Sequence, residues 1–171
     1  SRRPPGFAPS LPLPEAAAAA ITMPASTKAD RYKPPAHWEC IEKVKQTTHV
    51  PIIANGDVWD LQSAEKCRQV SGCDDLMIGR GALSLPNLAL CIKQQRAPMP
   101  WSEVSEWLVT YSGYEIFGDK GRYYPNRIKQ WFGYLKNQYP EAQIVFDQIR
   151  RLRDADEIVA VINDNRFMQT R

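Results

Sequence analysis

A chain of 171 residues that is 43% hydrophobic has enough apolar material for a folded core, whereas a complete (β/α)₈ barrel typically needs about 250 residues. The formal net charge is only +3, so overall charge does not identify a nucleic-acid-binding protein. No apolar run is long enough to span a membrane. The four cysteines form no CxxC pair and there are only two histidines, so we expect no metal site and reduced thiols in a cytoplasmic protein.

Residues 1–20 are rich in proline and alanine and show no periodic pattern. Two arginines near the start are a feature of signal peptides, but five prolines interrupt any apolar core. We therefore predict an irregular leader over residues 1–20.

From Ile21 onward the pattern predicts an alternation of strands and helices. Short apolar runs predict strands at residues 21–23, 50–54 and 76–78. Helical spacing predicts helices over residues 37–48 and 61–72, the second with Asp60 or Ser63 as its N-cap and Gly72 as its end. Strand, helix, strand at this spacing is typical of a parallel β-α-β unit, and runs without alternation suggest that both sheet faces are covered.

Beyond Pro100 the pattern becomes helical throughout. Four helix-like stretches cover residues 101–117, 126–139, 142–152 and 156–167. In the second, Ile128, Trp131, Phe132 and Leu135 recur at i, i+3, i+4 and i+7 and form one apolar face. We place a domain boundary in residues 97–100, which gives a leader (1–20), an α/β domain (21–98) and an all-α helical-bundle domain (99–171).

Two neighbouring predicted strand ends carry residues suited to a phosphate. Asn55, Gly56 and Asp57 follow one strand, and Gly79 and Arg80 follow the next. Glycines let the backbone approach an anion, and arginine grips phosphate oxygens with two N–H groups. Either loop alone is also explained as a turn with a surface charge. Because ligands gather at the carboxyl ends of parallel strands, the pair together favours a phosphate-bearing ligand.

A stretch of one charge sign lies within the helical part. Between residues 120 and 140 there are five lysines and arginines and no acidic residue, while Glu115, Asp119 and Glu141 flank the stretch. A local anionic partner accounts for such a distribution, and so does a solvated helix face.

The segments VPIIANGDVWD (50–60), GCDDLMIGRGAL (72–83) and NRIKQWFGYLKNQYPEA (126–142) together resemble the tRNA-dihydrouridine synthases. The RIKQW segment is most similar to the C-type subfamily, whose members modify uridine-16 of the tRNA D-loop. The resemblance implies a flavoprotein oxidoreductase for tRNA processing, in which FMN, reduced by NADPH, converts the uridine to dihydrouridine. It also implies that the α/β part is the C-terminal portion of a TIM (β/α)₈ barrel.

The resemblance assigns residues to two sites. Those expected to hold the ribityl phosphate of FMN are Asn55, Gly56, Asp57, Gly79 and Arg80. Those expected to contact tRNA are Tyr32, Arg127, Lys129, Tyr134 and Arg150. On the residues alone, Arg127 and Lys129 would neutralise phosphates, and Tyr134 would stack on a base or pack between helices.

The chain departs from the family pattern in two respects. The family's catalytic cysteine and flavin-contacting lysine lie in a region that has no counterpart here, so none of the four cysteines is expected to be catalytic. Pro24 and Ser26 stand where the family has a histidine and an arginine, which weakens the flavin site. We expect a monomer that is truncated and inactive alone. Two alternatives stay open, namely a non-catalytic RNA-binding remnant and another phosphate-binding barrel enzyme with a structural helical tail.

Overall fold

The computed structural model describes residues 19–26, 35–117 and 119–168. These residues form two compact units, one ending at Gly81 and the other beginning at Ala82. We call them the sheet unit and the helical unit. The predicted domain boundary at residues 97–100 lies farther along the chain and stays a prediction.

The sheet unit contains three strands and two helices in strict alternation. In chain order they are β1 (Ile21–Pro24), α1 (Trp38–Lys45), β2 (Ile52–Asn55), α2 (Leu61–Ser71) and β3 (Leu76–Met77). The strands are parallel, and their order in the sheet is β1-β2-β3. The predicted parallel β-α-β pattern is therefore confirmed.

The two faces of the sheet differ in burial. Ile52 and Ala54 of β2 are buried beneath the helices, whereas the intervening positions are more open. Thr22 and Pro24 on β1 are exposed, and Met77 on β3 is 48% exposed. The expectation that both faces are covered is wrong for this unit. Right-handed crossovers between strands that follow one another in order place both helices on the same face.

Helix α2 has well-defined ends. The Asp60 side chain accepts a hydrogen bond from the Ser63 backbone N–H, and the Ser63 hydroxyl accepts one from the Asp60 N–H. This capping box satisfies backbone donors of the first turn. Gly72 ends the helix with φ 65°, and its N–H donates to the Arg68 carbonyl. The predicted start at Asp60 and end at Gly72 are thus confirmed.

The helical unit consists of helices joined by short turns. Helix α3 (Arg80–Ser84) crosses the division between the units, and α4 (Leu88–Gln94), α5 (Trp101–Ile116), α6 (Tyr124–Leu135), α7 (Pro140–Ile149) and α8 (Ala155–Asp164) follow. A 3₁₀ turn at Asp119–Arg122 precedes α6. Helices α5 to α8 pack on one another. All four predicted helical stretches are present, and their status as a separate domain stays a proposal.

A continuous apolar core holds α5 to α8 together. Leu108, Ile128, Phe132, Val145 and Ile158 are fully buried. Burial of side chains of this size supplies most of the stabilisation of a helix bundle. Three of the four residues of the apolar face predicted on α6 lie in this core. Trp131 is half-buried instead, because its indole N–H donates to the Leu83 carbonyl at 3.0 Å.

The segment that joins α4 to α5 is fixed by side-chain hydrogen bonds. The Asn87 amide accepts from the Met99 N–H and donates to the Ala97 carbonyl. Tyr139 donates its hydroxyl hydrogen to the Met99 carbonyl at 2.9 Å. None of the helices described has the length and hydropathy that a membrane span requires.

Candidate functional site: two cavities

A cavity of about 430 Å³ lies at the carboxyl ends of the three strands. All five residues predicted for the phosphate site line it, namely Asn55, Gly56, Asp57, Gly79 and Arg80. They meet because β2 and β3 are adjacent and parallel, so that the loops following the two strands emerge at the same edge. The sheet unit thus brings together two groups of residues that are more than twenty positions apart in the sequence.

The loop after β2 approaches β1 closely. Gly56 has φ 139° and Asp57 has φ 50°, both in the region that side chains disfavour. A Cβ atom at Gly56 would lie 3.1 Å from the Ala25 Cβ and 3.3 Å from the Ala36 Cβ. The Trp38 indole N–H donates to the Gly56 carbonyl at 2.9 Å. Position 56 therefore requires glycine, and Trp38 fixes the loop.

The Arg80 side chain is oriented by two neighbours in this cavity. Its guanidinium lies 3.3 Å from an Asp57 carboxylate oxygen and 5.5 Å from the centre of the Trp59 ring. Contact with a ring face restricts the orientation of a guanidinium. Sequence reasoning missed Trp59. Its position two residues after the NGD sequence was visible, but only the path of the loop places the ring beside Arg80.

Two residues that depart from the expected family pattern lie at this cavity. Pro24 and Ser26 both line it, with Pro24 beside Asn55 in the sheet register. The histidine and arginine that the family resemblance implies at these positions would have added donors to the site. Gly79 has a different role, because a Cβ there would meet no atom within 4 Å. The space over its backbone is open to a ligand.

A second cavity, of about 660 Å³, lies in the helical unit. Five cationic side chains line it, from the 3₁₀ turn, helix α6 and the turn after α7: Arg122, Lys129, Arg150, Arg151 and Arg153. The other lining residues, Pro125 and Asn126, carry no charge. The arrangement is suited to an anion with several charges, and we call it the cationic cavity.

Two of the five residues predicted to contact tRNA line this cavity. Lys129 and Arg150 line it, and the Lys129 ammonium donates to the Leu152 carbonyl. Arg127 instead forms an ion pair with Glu115 at 2.6 Å. Tyr134 is half-buried and outside the cavity lining. Tyr32 lies outside the described residues.

Sequence reasoning missed Arg151 and Arg153, and it recognised Arg122 only as one cation of the stretch between residues 120 and 140. The sequence pattern predicts a helix over residues 142–152, which places Arg150 and Arg151 inside its end and Arg153 just beyond it. Helix α7 ends at Ile149, and the arginines lie in the turn before α8. The available signal was the RRLR sequence followed by Asp154, whose side chain caps α8.

The cysteines lie apart from both cavities. Cys67, Cys73 and Cys91 are buried, Cys40 is half-buried, and none lines either cavity. Burial raises the pKa of the Cys67 thiol to about 11 and also raises that of Cys91. Such thiols are poor nucleophiles at neutral pH. Among the described residues, no group of acidic, histidine and cysteine side chains could hold a metal ion.

Comparison with known proteins adds a family to this geometry. The profile of the dihydrouridine synthase family matches residues 13–165. The chain belongs to this family. Its relatives include the tRNA-dihydrouridine(16) synthases of Shewanella oneidensis (46% identical over 90% of the chain), Vibrio cholerae (45% over 85%) and Escherichia coli K12 (41% over 86%).

The similarity covers only part of each relative. The matched segments correspond to 49%, 45% and 47% of these three proteins. The chain therefore spans about half the length of the curated dihydrouridine synthases that it matches. Within that half lie both cavities, since the match includes every described residue that lines them.

Proposed function

We propose that this chain provides the flavin-phosphate end and the tRNA-binding helices of an FMN-dependent tRNA-dihydrouridine synthase acting on uridine-16. The observation that carries the proposal is the meeting of Asn55, Gly79 and Arg80 in one cavity at the carboxyl ends of adjacent parallel strands. Phosphate groups bind at this edge in (β/α)₈ barrels.

The order of the strands supports a barrel origin of the sheet. The sequence of neighbours β1-β2-β3 follows the chain, and α1 and α2 lie on one face. Barrels have this arrangement throughout, whereas doubly wound sheets reverse their strand order and carry helices on both faces. The more open face, with Pro24, Asn55 and Met77, then corresponds to the barrel interior, where the first cavity lies.

The residues of the first cavity fit a phosphate monoester such as that of FMN. The Arg80 guanidinium supplies charge and paired donors, and Gly79 leaves open space over the backbone. Asp57 competes for the same guanidinium, so an incoming phosphate replaces a carboxylate as its partner. Bound FMN supplies hydride transfer from NADPH to the uracil ring. Its phosphate would be held by Arg80 and Asn55, and also by the backbone of Gly56 and Gly79, which can approach it closely.

The cationic cavity supports the assignment of tRNA as the partner. Lys129 and Arg150 line it together with three further arginines. Cations concentrated in this way neutralise backbone phosphates, and the resulting affinity decreases as salt concentration increases. The proposed roles of Arg127, Tyr134 and Tyr32 depend on the family resemblance.

We also propose that the 171 residues alone do not reduce uridine. The family's acid is a cysteine, and no cysteine of this chain lines the first cavity. A non-catalytic RNA-binding role is the second candidate, and the five cations of the cationic cavity favour it.

The first test is FMN binding by the purified chain, measured by quenching of flavin fluorescence. We expect saturable binding that Arg80→Ala weakens by about 10-fold to 100-fold, since a charge-assisted hydrogen bond contributes about 1.5–3 kcal/mol. Lys66→Ala, which removes an exposed cation of α2 outside the cavity, is the matched control. Binding that is unaffected by Arg80→Ala would refute the flavin assignment. If tRNA binds without any FMN binding, the second candidate holds.

A further inference from the structure

We propose that the cationic cavity holds the phosphates of an unpaired RNA strand and that Tyr123, beside it, stacks on one of its bases. This inference rests on the proposed binding of tRNA and adds the kind of RNA feature that is recognised. Three of the phosphate-binding residues, Arg122, Arg151 and Arg153, and the stacking residue Tyr123 are new to the site.

The charges of the cavity are suited to an anion with several negative groups. Among the described residues, neither Arg151 nor Arg153 has a hydrogen-bond or ion-pair partner. The Arg150 guanidinium lies 3.9 Å from an Asp147 carboxylate oxygen, which is long for an ion pair. Both side chains are about half exposed. Like charges within a Debye length of about 8–10 Å repel one another unless counterions or a ligand are present. A phosphodiester chain supplies negative charge at several points and suits guanidinium geometry.

Tyr123 provides an exposed ring at the edge of the cavity. Its side chain is 55% exposed, and the guanidinium of Arg122, a lining residue, lies 6.0 Å from its ring centre. The Tyr123 carbonyl accepts hydrogen bonds from the N–H groups of Asn126 and Arg127, which fixes its backbone at the start of α6. A fixed backbone leaves the residue less conformational freedom to lose on stacking.

The combination favours unpaired RNA over other anions. An acidic peptide or a lipid headgroup would use the charges, whereas a nucleic-acid base would in addition stack on the exposed ring at the cavity edge. A paired helix would present phosphates, whereas its stacked bases would be inaccessible to a side chain. A phosphate-binding groove next to an exposed aromatic ring is the usual arrangement for single-stranded nucleic acid.

The experiment compares three probes by fluorescence anisotropy: an oligouridine of about ten nucleotides, an RNA duplex of equal length, and tripolyphosphate as a competitor. We expect Tyr123→Leu to weaken oligouridine binding by about fivefold or more and to leave competition by tripolyphosphate unchanged. Tyr123→Phe should retain binding within about twofold, because the ring is preserved. Tyr114→Leu on α5, where the tyrosine is 78% exposed, is the matched control.

The charges are tested separately. The double variant Arg151→Ala, Arg153→Ala should weaken both oligouridine and tripolyphosphate, and lower the slope of log affinity against log salt by between about 1 and 2. Lys93→Ala, Arg96→Ala removes two exposed cations elsewhere in the helical unit and should change neither.

Several results would overturn the inference. Wild-type affinity in Tyr123→Leu excludes stacking, and equal loss of tripolyphosphate in that variant indicates a disturbed cavity. Tighter binding to vesicles containing anionic lipid than to RNA would assign the cavity to membranes. If tRNA binds but the arginine variant keeps the wild-type salt slope, only this inference fails. If tRNA does not bind the wild-type chain, the proposed function fails with it.

Discussion

Gly56 and Gly79 line the same cavity under different steric constraints. At Gly56 the backbone has φ 139°, and a side chain would contact Ala25 and Ala36. At Gly79 a Cβ would have no protein atom within 4 Å. The first glycine is therefore required by the fold of the loop, whereas the second is required only if a ligand occupies the space above it.

Alanine at these two positions separates folding from binding. We expect Gly56→Ala to lower the free energy of unfolding by about 2 kcal/mol, because it combines a disfavoured φ with close contacts. Gly79→Ala should change stability by less than about 0.5 kcal/mol but weaken FMN binding by roughly fivefold or more, because its methyl group enters the phosphate space. Urea denaturation and flavin quenching measure the two effects. Normal FMN affinity in Gly79→Ala would mean that the phosphate lies elsewhere.

At the residue scale, the sequence predicted five of the residues that line the first cavity, but neither Trp59 nor their mutual contacts. Asn-Gly and Gly-Arg-Gly at the ends of apolar runs are local signals, and the structure brings these residues together. The contacts of Arg80 with Asp57 and Trp59 depend on how the loop returns, which no periodicity specifies.

At the element scale, Arg127 on α6 illustrates how helix packing changes the role of a charge. The sequence places it in a stretch without acidic residues, but Glu115 on α5 lies 2.6 Å from its guanidinium. The pair is only partly buried, so its contribution to stability is small. A residue that is twelve positions away in sequence thus neutralises one of the predicted phosphate contacts.

Release of Arg127 from this ion pair tests its proposed contact with tRNA. We expect Glu115→Gln to raise tRNA affinity by several-fold. The slope of log affinity against log salt should become steeper by slightly less than one, the change expected for one additional phosphate contact. Glu106→Gln is the matched control, since Glu106 also lies on α5 and pairs with Arg166 at 2.6 Å. Filter binding at several salt concentrations measures both. An equal change in the two variants would show a general charge effect and no contact by Arg127.

The predicted ends of the helices determined which cations could be assigned to the cationic cavity from the sequence. Periodicity predicted all four long helices, because their apolar faces form the bundle core. It extended the third helix over Arg150, Arg151 and Leu152, which lie beyond its end at Ile149. Turns are fixed by capping and by contacts with the next helix, here through Asp154. The three arginines of the cationic cavity that follow α7 were therefore not recognised as a group.

At the scale of the whole chain, the sequence predicted parallel strands but not their neighbours. Apolar runs indicate that a strand exists, whereas its position in the sheet depends on long-range pairing. The observed order β1-β2-β3 leaves one face less covered, contrary to the expectation from the apolar runs. That face carries Asn55 and the first cavity. The strand order that leaves this face open therefore also makes room for the site.

Both units contain buried thiol or phenol groups, which are uncharged when they carry their proton. Burial raises the pKa of Cys67 in the sheet unit from 9.0 to about 11. In the helical unit, burial raises the pKa of Tyr124, despite its hydrogen bond with Ser112, and the pKa of Tyr139. In each case the folded chain holds the proton more tightly than the unfolded chain does. Stability is therefore complete below the unfolded pKa and decreases as the pH rises through the folded one.

We accordingly expect the urea midpoint to be constant near neutral pH and to fall from about pH 9 upward. The Cys67 thiol alone contributes a loss of about 1–3 kcal/mol by the time the pH exceeds its folded pKa of about 11. Circular dichroism during urea denaturation at successive pH values measures the decline. Cys67→Ala should make the decline between pH 9 and 10 shallower, whatever its effect on stability at neutral pH. Cys91 contributes to the decline that remains there, and ionisation of Tyr124 and Tyr139 dominates only above that range. A midpoint that is unchanged up to pH 11 would mean that these groups ionise as easily in the folded chain as in the unfolded one.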